Sequence, residues 1–171
     1  SRVGTPNSEQ AASLSAASIL TDLAVFAVAR VVGEVHRSPV LSEYRFHPGL
    51  QAMLGRKAQE DLCCVGLHLG WAVEGAVGSE FKVDASYLSP NVMVATSLQR
   101  AANLYHVNIV LSQAVIDVAS SRAKSLCRVI DRVTVEGSRD PFRIYTLDLD
   151  TSALALQSPI EIEWTVRQRF R

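Results

Sequence analysis

Four glycines and one histidine fall within a short central stretch of this 171-residue chain. Gly66, His68 and Gly70 alternate, and Gly75 and Gly78 follow. Glycines at this spacing let two backbones, or a backbone and a ligand, approach closely. The stretch therefore predicts a tight hairpin of two strands, at about 62–69 and 71–77. His68 is expected to be a hydrogen-bonded structural residue of the first strand.

The other residues that could bind a metal or form a covalent bond are scattered. Cys63, Cys64 and Cys127 are the three cysteines, and adjacent cysteines are a poor bridging pair. Neither a Cys-x-x-Cys motif nor a histidine cluster accompanies them, so no metal site is predicted. The expected state is free, buried thiols in a reducing compartment.

The charge balance limits the classes of partner. Lysine plus arginine and aspartate plus glutamate number 17 each, so the chain has no general attraction to nucleic acid or to acidic membranes. The longest apolar run, 19–32, is interrupted by Asp22 and Arg30 and is shorter than the roughly 20 apolar residues of a membrane span. No transmembrane segment and no signal peptide is expected. The expected location is the cytoplasmic side, with any membrane association arising from parts outside this chain.

Periodicity predicts the elements that position the glycine-rich stretch. Helices are expected at 11–36, 91–105 and 113–126, a loop at 80–90, and strands at 107–112, 128–135 and 142–149, the last two forming a hairpin. The apolar faces assigned to the two longer helices are Leu20, Leu23, Ala27, Val31 and Val35 in the first, and Val92, Ala95, Leu98, Ala102 and Tyr105 in the second. This order predicts an α+β sandwich. Its parts are a flexible lead-in at 1–10, a domain at 11–150 and an extension at 151–171.

The central stretch resembles the core of class III adenylyl and guanylyl cyclases. Gly66, His68 and Gly70 fit the family's Gly-x-His-x-Gly, and Gly75 and Gly78 fit its Gly-x-x-Gly. The helix pattern Val-Asn-x-Ala-x-Arg-Leu is matched in part by Val92, Ala95 and Leu98, and IDRVTVEGSRDPFRIYTLDL is similar to the closing hairpin. The segment FKVDASYLSPNV is most similar to cyclase domains of unicellular eukaryotes.

The resemblance implies a ferredoxin-like sandwich that lacks, or does not include, the family's N-terminal strand–helix section. In the family that section carries two aspartates that bind two magnesium or manganese ions, so no cofactor is expected for this chain. Without it the sheet would keep an open edge, which is a pairing hazard. Either the section lies outside this chain or another chain completes the sheet.

The resemblance also locates the residues that form cyclic nucleotides in the family, and here they differ. Met93 and Ser97 occupy the positions of the family's asparagine and arginine, and Glu136 occupies that of its triphosphate-binding lysine. Methionine donates no hydrogen bond, serine has no guanidinium, and glutamate reverses the charge. Arg100 is expected to be a solvated surface charge. Glu136 is expected to face solvent or to pair with Arg132 or Arg139.

The resemblance aligns the family's base-recognition position with Ser86, and Asp84 could take that place if the loop bulges, but the favoured interpretation of both residues is an ordinary polar loop. These two residues do not choose between ATP and GTP, and any nucleotide binding is expected to be weak.

Three functions are compatible with the sequence, which favours the first and keeps the second as its main alternative. The first is an inactive cyclase homology domain that regulates or scaffolds a partner in cyclic-nucleotide signalling. The second is the metal-supplying half of a heterodimeric adenylyl or guanylyl cyclase, and the third is a purely structural ferredoxin-like module in a larger assembly. In each the chain is expected to form a homo- or heterodimer with another cyclase-type domain, or to join a larger assembly. Met93 and Trp71 are expected at the association surface.

Overall fold

The computed structural model describes residues 8–44, 46–54 and 63–150. The helices are α1 (Ser8–Arg37), α2 (Pro39–Tyr44), α3 (Pro48–Leu54), α4 (Pro90–Tyr105), α5 (Gln113–Val118) and α6 (Ser121–Ser125). The strands are β1 (Val65–Leu67), β2 (Val73–Gly78), β3 (Val83–Leu88), β4 (Ile109–Ser112), β5 (Cys127–Val133) and β6 (Phe142–Leu147). The predicted extension at 151–171 and most of the lead-in lie outside the described residues, although α1 already begins at Ser8.

The strands form two separate sheets. A four-stranded sheet has the order β1-β4-β6-β5, in which β1 and β4 are parallel and the other neighbours antiparallel. Strands β2 and β3 pair only with each other among the described strands, from Val73 opposite Leu88 to Gly78 opposite Val83. The α+β class is confirmed, and so is the closing hairpin, which is β5–β6.

The predicted hairpin at 62–78 is wrong, because β1 joins β4 whereas β2 joins β3. The loop predicted at 80–90 is wrong as well, since 83–88 is a strand. Gly66, Gly70 and Gly78 do lie close to other parts of the chain, whereas Gly75 does not, and the neighbour of Gly66 was misassigned. At Gly66 an added Cβ would meet the α4 backbone, 2.4 Å from the Gln99 nitrogen. The close neighbour of this glycine is therefore helix α4 and not strand β2.

Helices cover both faces of the four-stranded sheet. Alternation along β4 directs Ile109 and Leu111 to the core beneath α1, while Val110 belongs to the core beneath α4. All three are fully buried. The α4 side is centred on Leu98 and Ile144, both also fully buried. Helix α4 is thereby fixed rigidly against the sheet.

Helix α1 confirms the predicted element but not its predicted face. Leu20, Leu23 and Val31 are exposed, whereas Val25 and Val32 are buried in the core. Within 19–32 only Thr21, Asp22 and Arg30 are polar, so the apolar periodicity of this segment could not select a side. The buried side includes Ala29 and Gly33, whose small size permits close packing.

One segment of α1, Ala16–Arg37, is long and apolar enough to cross a membrane by length and composition, although the sequence analysis expected none. A core helix of a folded domain passes the same test. In this structure Val25 and Val32 of the segment pack against the sheet.

The predicted helix at 113–126 is broken into α5 and α6. Ser120 is the N-cap of α6, where its Oγ accepts a hydrogen bond from the Ala123 N–H at 3.2 Å. Asp22 of α1 accepts a hydrogen bond from the Ser120 N–H at 3.0 Å. This carboxylate therefore has a structural partner, and it ties α1 to the corner between α5 and α6.

Candidate functional site

The N-terminus of α4 is set by local capping. Ser89 is its N-cap, with its Oγ accepting from the Asn91 N–H at 3.1 Å, and Pro90 occupies the first helical turn. Val94 and Leu98 are buried, and Ala95 is half-buried against the sheet. Val92, which was assigned to the core face, is instead exposed. Met93 is also exposed, so the start of the helix presents apolar side chains outward.

The turn between β5 and β6 lies over this part of α4. Gly137 has a φ of 91° and stands so close that an added Cβ would lie 2.6 Å from the Pro90 carbonyl oxygen and 3.1 Å from the Met93 Cβ. Both the positive φ and the contact require glycine. One turn further along α4, the Ser97 hydroxyl donates to the Glu136 carbonyl oxygen at 3.4 Å. Glu136, which is far from Met93 and Ser97 in sequence, is therefore their neighbour in space.

A shallow cleft of about 190 Å³ lies between α4 and this turn. Its lining residues are Val92, Met93, Thr96, Arg100 and Glu136. Arg100 Nη1 and Glu136 Oε2 are 3.7 Å apart, so the glutamate pairs with Arg100 and not with the expected Arg132 or Arg139. Both side chains are largely exposed, and such a surface pair adds little to stability. The carboxylate of Glu136 does, however, neutralise the charge of Arg100, which is the one cationic side chain that lines the cleft.

Ser86 and Asp84, the candidates for base recognition, lie on β3. In the hairpin they stand opposite Gly75 and Val77, respectively. Asp84 forms an exposed ion pair with Lys82 at 2.9 Å. Neither residue lines the cleft beside Glu136. The structure therefore groups three of the five candidate residues and leaves these two on the hairpin.

An apolar groove of about 500 Å³ adjoins the cleft. It runs from the base of the hairpin to the first turn of α4, and its lining residues are Trp71, Val73, Tyr87, Leu88, Ser89, Pro90, Val92 and Met93. Trp71 is 66% and Met93 45% exposed. The sequence predicted Met93 and Trp71 at one surface, and the structure places both in this groove. The sequence-based prediction missed Leu88 and Tyr87 because 80–90 was interpreted as a loop. The alternation of Val83, Ala85 and Tyr87 was the signal that could have indicated a strand there.

His68 joins three elements through its two ring nitrogens. Nδ1 is 2.9 Å from the Oγ of buried Ser112 at the end of β4, and Nε2 is 3.1 Å from the Asn91 Oδ1. The amide of Asn91 in turn donates to the Trp71 carbonyl oxygen at 2.8 Å. The predicted structural role of His68 is confirmed. The part played by Asn91 was not foreseen.

Metal-binding side chains do not cluster in the described part of the chain: no group there of three or more His, Cys, Asp or Glu could hold an ion. The three cysteines are not joined in disulfides, and burial raises the pKa of Cys63 and of Cys127. Raised pKa values disfavour the thiolate that metals and electrophiles require.

Comparison with known proteins found a similar sequence and a similar solved structure. An adenylate cyclase from Anabaena cylindrica is 29% identical over 82 residues, which are 47% of this chain and 16% of that protein. The solved structure of a bacterial light-regulated adenylyl cyclase superposes with a TM-score of 0.52 at 18% identity, over 77% of this chain and 36% of that one. No model of a known protein family matches the chain.

The chain contains a cyclase-like domain. The structural match establishes its fold, and the sequence match to an adenylate cyclase agrees with it. Because this cyclase-like domain spans only a minor part of each relative, the activities of those whole proteins are not carried over to it.

Proposed function

We propose that this domain has lost the ability to make cyclic nucleotides and acts as a regulatory or scaffolding partner of another cyclase-type domain. The observation that carries the proposal is that Met93 and Glu136 line one cleft, while the Ser97 hydroxyl donates to the Glu136 carbonyl oxygen beside it. These are the positions at which the resemblance places asparagine, arginine and lysine. Because they are neighbours in space, their replacement changes one site and not three unrelated surfaces.

The chemistry of cyclisation explains why this change matters. The ribose 3′-oxygen attacks the α-phosphorus and pyrophosphate leaves, so charge on phosphate oxygens must be neutralised by fixed donors. Met93 donates nothing, and Glu136 brings a negative charge toward the position of an anion. Arg100 lines the cleft, but its guanidinium is paired with Glu136. Loss of one well-placed oxyanion donor costs roughly 100- to 1000-fold in rate, so loss of several leaves negligible turnover.

The apolar groove supports the second part of the proposal. Trp71, Leu88 and Met93 are exposed together beside the N-terminus of α4, and contiguous exposed apolar side chains mark interaction surfaces. In the family that the chain resembles, active sites lie between two domains. The occupant we propose is therefore a second cyclase-type domain, either another copy of this chain or a related one.

A cyclase assay tests the loss of activity. We expect no cyclic nucleotide from the purified chain with ATP or GTP, with either magnesium or manganese present. The same assay should be repeated after mixing the chain with a cyclase domain that keeps its asparagine and arginine but lacks its metal-binding aspartates. Turnover in that mixture would favour the metal-supplying half, and turnover by the chain alone would refute inactivity. A thermal shift with ATP or GTP separates weak nucleotide binding from a purely structural module.

Substitution of Met93 tests the association surface. Met93→Asp should weaken dimerisation, measured by sedimentation, because it places an unpaired charge in an apolar contact. Leu104→Asp is the matched control, since Leu104 is exposed on the same helix but outside the groove. Equal association of the two variants and the wild type would show that the groove is not the interface.

A further inference from the structure

The β2–β3 hairpin contributes much of the apolar groove, yet its own strands are exposed along their whole length. All twelve strand residues, Val73–Gly78 and Val83–Leu88, are exposed. A two-stranded hairpin of this kind has little stability of its own. Its orientation relative to the sheet therefore depends on the two segments that connect it to the rest of the domain.

One of these segments is His68 to Ala72, which follows β1, and the other is Ser89 to Asn91, which starts α4. The Asn91 side chain joins them, because its Nδ2 donates to the Trp71 carbonyl oxygen at 2.8 Å. Its Oδ1 is thereby turned toward His68 and accepts from Nε2 at 3.1 Å. In the neutral ring, Nδ1 then accepts from the Ser112 hydroxyl. A single chain of hydrogen bonds thus runs from the buried end of β4 to the base of the hairpin.

Gly70 provides the space for this arrangement. An added Cβ at Gly70 would lie 2.3 to 2.6 Å from the three terminal atoms of the Asn91 side chain. Such distances are not tolerated, so Asn91 would have to move. Gly75, within the hairpin, offers a contrast, because nothing lies within 4 Å of an added Cβ there.

From these contacts we infer that Gly70, His68 and Asn91 form a clamp that positions the hairpin, and with it Trp71, for binding the partner domain. These are positioning residues and contribute no donor to the cleft beside Glu136. The inference rests on the proposed function for the identity of the partner, while the clamp itself rests on the hydrogen bonds. It assigns a positioning role to the Gly-x-His-x-Gly stretch. The imidazole of His68, directly after β1, holds the Asn91 side chain that binds the base of the hairpin, and Gly70 leaves room for that side chain.

A double-mutant cycle tests the clamp. The variants are Asn91→Ala, Gly70→Ala and the double substitution, with Gly75→Ala as the matched control. Each single variant should weaken dimerisation about fivefold to tenfold, as the loss of one or two hydrogen bonds predicts. Because Gly70→Ala acts by displacing Asn91, the double variant should be no weaker than either single one. Amide hydrogen exchange should become faster in β2 and β3 but stay unchanged in β4 and β6, which shows that the fold is intact.

Asn91→Asp gives a narrower test of the bond to Trp71. It keeps the oxygen that accepts from His68 and loses the donor to Trp71, while a carboxylate in the first turn of α4 favours the helix. This variant should therefore weaken dimerisation without lowering the melting temperature. Additive effects of Gly70→Ala and Asn91→Ala on dimerisation would overturn the clamp. Equal rates of amide hydrogen exchange in the hairpin of Gly70→Ala and Gly75→Ala would also overturn it. Should the wild type not dimerise, a second copy of this chain is excluded as the partner, and the hairpin exchange rates alone decide the clamp.

Discussion

The four-stranded sheet and the β2–β3 hairpin are built from similar residues but are held in place differently. All four residues of β4 are buried, whereas every strand residue of the hairpin is exposed. The sheet is stabilised by burial between α1 and α4. The hairpin has its own ladder, a Tyr87–Glu74 hydrogen bond and the connections at its base. Strand formation and stabilisation by a core are therefore separate properties in this domain, and the following substitutions probe each.

The largest contrast should come from two leucines. Leu98 is fully buried in the core beneath α4, while Leu88 is 77% exposed on the hairpin. Leu98→Ala should lower the free energy of unfolding by about 2–5 kcal/mol, because it removes buried methyl groups and leaves a cavity. Leu88→Ala should change it by less than about 0.5 kcal/mol. Chemical denaturation measures both, and similar losses would mean that the hairpin is part of the core.

Two glycines give the next contrast. At Gly66 an added Cβ would press on the α4 backbone, 2.5 Å from the Ala95 oxygen, whereas at Gly75 it would meet open space. Gly66→Ala should therefore destabilise by about 1–3 kcal/mol through overpacking. Gly75→Ala should be neutral or stabilise by up to about 1 kcal/mol, since alanine suits a strand better than glycine does. Melting temperatures of the pair decide this. An unaffected Gly66→Ala would contradict the close packing of β1 on α4.

The smallest effect concerns the sheet at acid pH. Arg128 on β5 donates two hydrogen bonds to Asp148, at 2.8 and 2.9 Å, and this contact lowers the pKa of Asp148. A depressed pKa in the folded state means that the stabilising contribution is present above the unfolded-state pKa. It is lost as the pH falls through the folded-state value. Asp148→Asn should therefore reduce the loss of stability between neutral and acid pH, by a small amount because the pair is exposed.

The effect of the Arg128–Asp148 ion pair is measured by the denaturation midpoint of wild type and Asp148→Asn between neutral and acid pH. Asp84→Asn, on the hairpin, controls for the removal of a surface carboxylate. If it altered the acid sensitivity as much as Asp148→Asn does, the ion pair on the sheet would not be the cause.

The sequence predicted those elements whose own pattern contains the decisive information. Helix α4 carries its cap in Ser89-Pro90, and β4 and β6 are short segments rich in β-branched and aromatic residues, which favour strands. Pairing was predicted less well, because glycine spacing reports close approach without naming the neighbour. For Gly66 that neighbour is α4, and for Gly70 it is the side chain of Asn91.

The same limit applies to the candidate site. The resemblance selected Met93, Ser97 and Glu136, and the fold brings them together. That Glu136 would pair with Arg100 depends on the path of the β5–β6 turn over α4, which is fixed by the positive φ of Gly137. No local pattern encodes that path. The face of α1 was missed for a related reason, since the largely apolar segment 19–32 of this helix offers several equivalent apolar stripes.

The parallel pairing of β1 with β4 has a consequence for the order of folding. Val65 pairs with Ile109, so the whole hairpin and α4 lie in the loop that this contact closes. The hairpin forms from residues adjacent in sequence and can close rapidly, whereas the parallel pair must wait for a long crossover. We therefore expect hairpin amides to gain transient protection before those of β1 in pulsed hydrogen exchange during refolding. Protection in the reverse order would contradict this expectation. The part of the domain that forms first would then be the part least protected in the native state.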